Sequence, residues 1–454
     1  QLVNTKHKFM HYTEKLKNVS VLGAAGKMGS GILLLTAQEL VNQTLQHENK
    51  NQKFVLNAID VSHDALDGLL KYVRTQAQKF AEKKIVLLRQ MYGEHSHLHE
   101  NSDFIQQYMN DVVDVIKPTT RIEAAYDSTL IFEVVSENPE LKTKLFTQID
   151  QNNNNDPWFF TNTSSIPIQE LSNKANLDGR IMGVHFYNPP AVQKLVELIK
   201  AESTKPEIND FAIQYVKNLK KTIVTSADVA GFIGNGHFMR DVRFGIEMAN
   251  RLNEKMPLQQ AILTVDTITR DYLVRPMGIF QLADYVGLDV VRYIMKVMHD
   301  RGIDDNLKSK LLDNLVEAGI KGGQNSDGSQ KDGLFKYEKG KPVAVLEPES
   351  KQYTDLSILD SKVGTYLGAK PEGYVKWKAL LKATDKEDQL RNWFNNLKNG
   401  SNNGAILAME YLQKSKDIAL QLVKDGVAAS EEDVNTVLMT GFFHSYGPAN
   451  DFMN

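Results

Sequence analysis

Asn18–Leu22 (NVSVL) is a short β-rich run that leads straight into Gly23-Ala24-Ala25-Gly26-Lys27-Met28-Gly29-Ser30-Gly31. The chain leaves this turn as ILLLTAQELVNQTL, with apolar residues at helical spacing. No other stretch restricts the fold as much. Strand, glycine turn and helix in direct succession open an α/β unit, and that context turns a loose glycine pattern into a phosphate-binding turn. Glycine lets the backbone approach a pyrophosphate closely, and the first turn of a helix offers unpaired N–H groups and the positive end of its dipole. The spacing is GxxGxxG, one residue longer than the GxGxxG fingerprint. Gly23, Gly26, Lys27, Met28 and Gly29 are the residues that would meet a dinucleotide.

A second strand-like run, KFVLNAID, ends in Asp60, 31 residues past Gly29 where about 20 is usual. An acid there accepts hydrogen bonds from the adenosine ribose and repels a 2′-phosphate. Val61, Ser62 and His63 supply no Arg or Lys beside it, so NAD is favoured over NADP. The plain alternative is an α/β crossover that holds no nucleotide.

A chain of 454 residues exceeds what one core supports, so two to three domains are expected. A formal net charge of −3 gives no support for nucleic-acid or anionic-membrane binding through bulk charge. The chain has no cysteine, which excludes disulfides, a thiol nucleophile and thiolate-held metals and fits a reducing, cytoplasmic compartment. No apolar run approaches the roughly 20 residues of a membrane span. The opening QLVNTKHKFMHYTEKLKN shows no apolar leader core and no arginine, and Gln1 leaves a trimmed or tagged start open.

Residues 181–199, IMGVHFYNPPAVQKLVELI, read as strand, turn, strand. A hairpin of that length could bring His185 and Glu197 side by side. A carboxylate against an imidazole fixes its tautomer and favours its protonated form, which makes a general acid/base. A core histidine beside a surface glutamate is the plainer alternative.

Between these landmarks, 61–116 is long and polar and reads as a helical excursion. YDSTLIFEVV is a buried strand that ends in Ser136-Glu137-Asn138, and PELKTKLFTQID starts a helix at Pro139. WFFTN is another strand, followed by small polar residues that cap a helix or touch a ligand. LKKTIVTSAD closes this domain, and composition then turns helical, with helices expected at 246–252 and 258–269. Residues 325–341 read as a glycine-, lysine- and serine-rich loop, 351–398 as mixed, and 402–454 as helical again. Val265-Asp266-Thr267 precedes Gly278 as Val434-Asn435-Thr436 precedes Gly447, each 169 residues on. Chance echo and duplicated helical unit are both open.

The glycine turn, SENPELKTKLF, TNTSSIPIQELS, GVHFYNPPAVQKLVELI, DVAGFIGN and RPMGIFQLADYVGLD, in this order over about 18–298, resemble the L-3-hydroxyacyl-CoA dehydrogenase family. The resemblance implies an α/β Rossmann-like NAD-binding domain followed by all-α C-terminal domains. The expected boundaries are 1–227 with an excursion at 62–116, then 228–340, then 341–454 as a degenerate second helical copy. It implies NAD, an acyl-CoA substrate, and a monomer or homodimer, working alone or coupled to an enoyl-CoA hydratase and a thiolase. Carried over by motif, His185 is the catalytic base and Glu197 its orienting partner. Ser164, Asn188 and Asn235 line the substrate oxygen. Glu137 and Lys142 lie near the nicotinamide, its phosphates or the CoA, and Asn162 and Asn188 stand with the cofactor contacts. Ala230 replaces a usual proline, and Gly236 a usual arginine. Two other readings share the fold: a dehydrogenase of another 3-hydroxy acid such as a sugar acid, and a nucleotide-binding paralogue without turnover.

Overall fold

The computed structural model describes residues 12–325 and 327–454, in two compact units, Gln1–Asp228 and Val229–Asn454. Most of the opening segment read for a leader, and Ser326 in the expected loop, lie outside the described residues.

The first unit is built on one sheet. Its strands are β1 (Asn18–Leu22), β2 (Val55–Ile59), β3 (Ile116–Thr119), β4 (Leu130–Glu133), β5 (Trp158–Thr161), β6 (Ile181–Phe186), β7 (Leu195–Ile199) and β8 (Thr222–Ser226), in the order β3-β2-β1-β4-β5-β6-β7-β8. The strands from β3 to β6 are all parallel, and β6 pairs with β7 antiparallel. β4, β5, β6 and β7 are buried along their whole length, which is why they read as continuous apolar runs. The chain winds outward in both directions from β1 and β4, so the switch point lies between these strands, where α/β folds bind ligands.

Helix α1 (Lys27–Thr44) follows the glycine turn. The polar stretch after Asp60 forms α2 (His63–Lys83), α3 (Ile85–Met91) and α4 (Asn101–Asp114). α2 buries Leu66, Leu69, Val73, Ala77 and Ala81, an apolar stripe at three- and four-residue steps. α5 (Pro139–Asn152), α6 (Ile168–Ala175) and α7 (Pro206–Asn218) complete the crossovers. At the outer strand β3, the Val115 and Thr119 carbonyls accept from Leu56 and Asp60 N–H at 3.0 and 3.3 Å, while Lys117 and Pro118 are exposed.

The second unit is mainly helical. It comprises α8 (Gly234–Leu252), α9 (Leu258–Thr267), α10 (Ile279–Val286), α11 (Leu288–Asp300), α12 (Lys310–Glu317), α13 (Leu356–Leu367), α14 (Trp377–Leu381), α15 (Lys386–Lys398), α16 (Asn403–Lys424) and α17 (Glu431–Thr436). Between α12 and α13 lies an antiparallel meander of β9 (Phe335–Glu338), β10 (Lys341–Glu347) and β11 (Gln352–Asp355). The reading of 325–341 as loop missed β9. FKYE alternates buried Phe335 with exposed Lys336, a period of two too short to stand out against its glycines and lysines. The helical reading of 402–454 holds only to Gly441. Beyond it Phe443 has φ 57° and a Gly447-Pro448 pair follows, which no helix continues.

The sequence echo has a backbone counterpart. α8 and α16 begin at Gly234 and Asn403, π-helical turns begin at Ile268 and Val437, and left-handed residues follow at Val274 and Phe443, each pair 169 residues apart. A Cβ on Gly278 would lie 2.2 Å from the Asp266 carboxylate, and one on Gly447 2.0 Å from the Asn435 amide. α8 and α16 pack on each other, with the Gly236 backbone so near that a Cβ there would be 3.1 Å from Leu422. A side chain at 236 would press on Leu422.

Candidate active site

The polar groups picked out from the first unit's sequence follow the carboxyl ends of its parallel strands. The glycine turn comes after β1, Asp60 after β2, Glu137 after β4, residues 162–165 after β5, and His185 at the end of β6. At the glycine turn Gly23 has φ 80°, and a Cβ there would lie 2.5 Å from Val134 O, so only glycine fits against the β4 exit. A Cβ on Gly29 would sit 1.9 Å from Gly23 O, which closes the turn on the start of α1. Gly26 caps α1 without any side-chain hydrogen bond, so the positive end of the helix dipole starts at the glycine turn. Lys27 and Met28 begin that helix. Asp60 accepts from Ala25 N at 2.9 Å through one oxygen and from Val61 N at 2.7 Å through the other. Its carboxylate therefore ties the turn to the end of β2 and keeps further lone pairs for a ribose.

Val134, Ser136 and Glu137 leave β4 beside a buried cluster. Lys142 Nζ, on α5, lies 2.5 Å from Glu133 and 3.2 Å from Glu137. Glu137 in turn accepts from Thr163 Oγ1 at 2.9 Å, Ser164 N at 2.8 Å and Ser164 Oγ at 2.9 Å. Burial opposes the Glu137 charge, but Lys142 and the Ser164 and Thr163 donors hold its carboxyl below the usual range. For Lys142 burial pulls down, and Glu133 and Glu137 outweigh it and push up. The Lys142 ammonium is thus engaged by two carboxylates inside the protein, and Glu137 is the member half-open at the strand ends.

On the hairpin, β6 and β7 pair so that His185 stands directly across from Glu197. Period two and a turn centred near Ala191 dictate that register. His185 Nδ1 lies 3.3 Å from Glu197 Oε1, and both side chains are buried. The Tyr187 hydroxyl donates to the same oxygen in a short hydrogen bond, its ring centroid 4.8 Å from the imidazole. Asn162 Oδ1 accepts from Phe186 N at 2.8 Å and so fixes β5 to the end of β6. Asn188 enters the turn, and its bond to Pro189 is cis. Lys221 Nζ donates to Pro190 O and Gln193 O at 2.5 Å each, and burial pushes its amine down to about 8. Asp228 accepts from Ile168 N and Gln169 N at 2.6 and 2.8 Å, capping α6.

His185 and Glu197 are therefore brought together, as are Glu137, Lys142 and Ser164. Asn235 stands in the first turn of α8, in the second unit. Thr163 belongs to the small polar run read as helix cap or ligand contact, while Tyr187, Glu133 and Lys221 went unnoticed in the sequence. Only Tyr187 left a signal there, standing two residues from His185 in an extended run, where alternate residues share a face. Among the described residues no helix is long and apolar enough to cross a membrane.

A doubly wound sheet with a glycine turn and an acid after its second strand is a dinucleotide-binding architecture. Residues 18–229 match the NAD binding domain of 3-hydroxyacyl-CoA dehydrogenase, and 231–332 match its C-terminal domain. The chain is 30% identical over 328 residues to a probable 3-hydroxyacyl-CoA dehydrogenase of Caenorhabditis elegans, covering 72% of this chain and 97% of that protein. It is 29% identical over 326 residues to the mitochondrial hydroxyacyl-coenzyme A dehydrogenase of Rattus norvegicus, covering 71% and 92%. Its fold is similar to the crystal structure of 3-hydroxybutyryl-CoA dehydrogenase from Escherichia coli, with a TM-score of 0.62 at 19% identity over 95% of this chain and 90% of that one. The chain belongs to the 3-hydroxyacyl-CoA dehydrogenase family, oxidoreductases that act on CH–OH groups with NAD.

Proposed function

We propose that this chain catalyses the reversible oxidation of an L-3-hydroxyacyl-CoA to the 3-oxoacyl-CoA, with His185 as general base and Glu197 as its orienting partner. The observation that supports this most is the pairing of His185 Nδ1 with buried Glu197 across the hairpin. A carboxylate only accepts, so Nδ1 carries the ring proton and Nε2 is the unprotonated ring nitrogen. Nε2 takes the proton of the C3 hydroxyl as the C3–H bond breaks, and Glu197 stabilises the imidazolium that forms. Bound NAD supplies the hydride acceptor. Gly23, Gly26, Lys27, Met28, Gly29 and Asp60 hold it, and the close turn and open helix start suit a pyrophosphate.

Ser164, Asn188 and Asn235 hold the substrate oxygen so that C3 is aligned for hydride loss. Glu137 and Asn162 stand on the cofactor side. Lys142 acts through Glu137, since its ammonium is taken up by carboxylates. We also read 341–454 as a degenerate second helical copy, in which 403–454 corresponds to 234–285. Its counterpart of Asn235 is Gly404, so one chain carries one such oxygen ligand, and a monomer is a sufficient unit. A cytoplasmic place and coupling to a hydratase and a thiolase are part of the same reading.

The test is NADH oxidation with acetoacetyl-CoA, followed by absorbance, in wild type and His185→Ala. Turnover should fall by about 10²–10⁴ in the variant. A loss under about tenfold removes His185 from the role of base. Equal activity on the free 3-hydroxy acid and its CoA ester would favour the sugar-acid type of substrate.

A further inference from the structure

The hairpin carries a third polar side chain that the proposed mechanism leaves without a task. Tyr187 lies two residues beyond His185, and its hydroxyl donates to Glu197 Oε1, the oxygen that His185 Nδ1 also faces. The two rings lie 4.8 Å apart at 42°, so the phenol flanks the imidazole as well as sharing its acceptor. Glu197 is fully buried on β7 and cannot trade this donor for bulk water.

We infer that Tyr187 is a positioning residue of the dyad, whose phenol holds Glu197 Oε1 in place and takes part of the negative charge that this oxygen presents to the imidazole. The inference rests on the dyad reading above and adds the residue that sets its strength. Two donors on one carboxylate oxygen compete, because each draws on the same lone-pair density. Burial, and then the Glu197 charge beside it, push the phenol well above the ordinary tyrosine range, so it remains a donor throughout the working pH. β5 runs on into Asn162, whose oxygen is occupied by Phe186 N, and β8 sets Val224 beside Glu197. The carboxylate of Glu137, after β4, is engaged by Lys142 and Ser164.

Removing the phenol oxygen should therefore strengthen the hold of Glu197 on the imidazolium. The experiment is Tyr187→Phe against wild type in the full chain, with two readouts. Histidine-labelled protein, with the His185 ring signal assigned by its loss in His185→Gln, gives the midpoint of the imidazole titration by NMR. That midpoint should move up by about one pH unit, the size expected for one hydrogen bond to a charged group. In the kinetic readout, the alkaline limb of 3-oxoacyl-CoA reduction should extend by a similar amount, with KM little changed. A merely structural tyrosine would lower the melting temperature and leave both midpoints in place, and that result overturns the inference. An NMR shift without turnover in either protein would uphold the placement of Tyr187 and count instead against the dehydrogenase reading. Turnover with superimposable profiles would do the reverse.

Discussion

In the first helical segment the Asp266 carboxylate lies under Gly278 and accepts Phe280 N and Gln281 N on one oxygen, at 2.9 and 3.0 Å. In the second, the Asn435 amide lies under Gly447 and both accepts Ala449 N and donates to Ala449 O, each at 2.9 Å. The backbones match in their π-helical turns and left-handed residues. The contents differ in charge and burial. Asp266 is 1% exposed, its second oxygen is buried without a partner, and burial pushes its carboxyl up to about 6. Asn435 is half-buried and neutral. Such a turn needs a short oxygen-bearing side chain beneath a glycine, and it does not need a charge. The first segment keeps a costly carboxylate, and the second shows the same architecture working without one.

The largest separation between the segments is expected at their helix starts. Asn235→Ala should lower kcat/KM by about 10²–10³, the cost of losing one donor to a reacting oxygen. Gly404→Ala, at the matching position, should leave kcat/KM unchanged and lower the melting temperature, since its Cβ would meet the Tyr272 hydroxyl at 2.6 Å. Equal kinetic losses at both positions would make the segments functional equals and break the contrast. Next come the turn glycines. Gly278→Ala presses on a fully buried carboxylate and should cost about 3 kcal/mol, whereas Gly447→Ala presses on a side chain with room to shift and should cost about 1 kcal/mol in denaturant unfolding.

The smallest effect sharpens the charge difference. The folded Asp266 carboxyl keeps its proton to about pH 6, while the unfolded one releases it near the ordinary value of 3.8. Its contribution to stability is therefore full below about pH 4 and is lost as pH rises through about 6. Asp266→Asn keeps the oxygen that accepts both N–H groups. It should stabilise the protein by about 2 kcal/mol at pH 8 and by little at pH 4, read as the pH dependence of unfolding. A variant no more stable than wild type at pH 8 would mean that the carboxylate is better solvated than its burial implies.

The parts of the site that lie close together in sequence were readable there. A hairpin obeys a period of two about its turn, so His185 and Glu197 could be paired from spacing, and strand–glycine–helix adjacency placed the phosphate turn. The cluster of Glu133, Glu137, Lys142, Thr163 and Ser164 could not be read in full, because it draws on β4, α5 and the loop after β5, and only the folded sheet makes these neighbours. Lys142 shows the limit best. By motif it suggested a place near the nicotinamide, its phosphates or the CoA, and its pairing with Glu133 and Glu137 appeared only in the fold. Gly236 shows the converse, a departure in the sequence whose neighbour, Leu422, appeared only in the fold.

The outer strand β3 has a consequence for molecules that meet one another. Its Val115 and Thr119 carbonyls face β2, so by alternation residue 118 turns its backbone away from the sheet, where proline has no N–H to give. Beside it, Lys117 puts a charged side chain on the same rim. A stray strand approaching this margin finds a missing donor and a cation, so the sheet is guarded there against edge-to-edge aggregation.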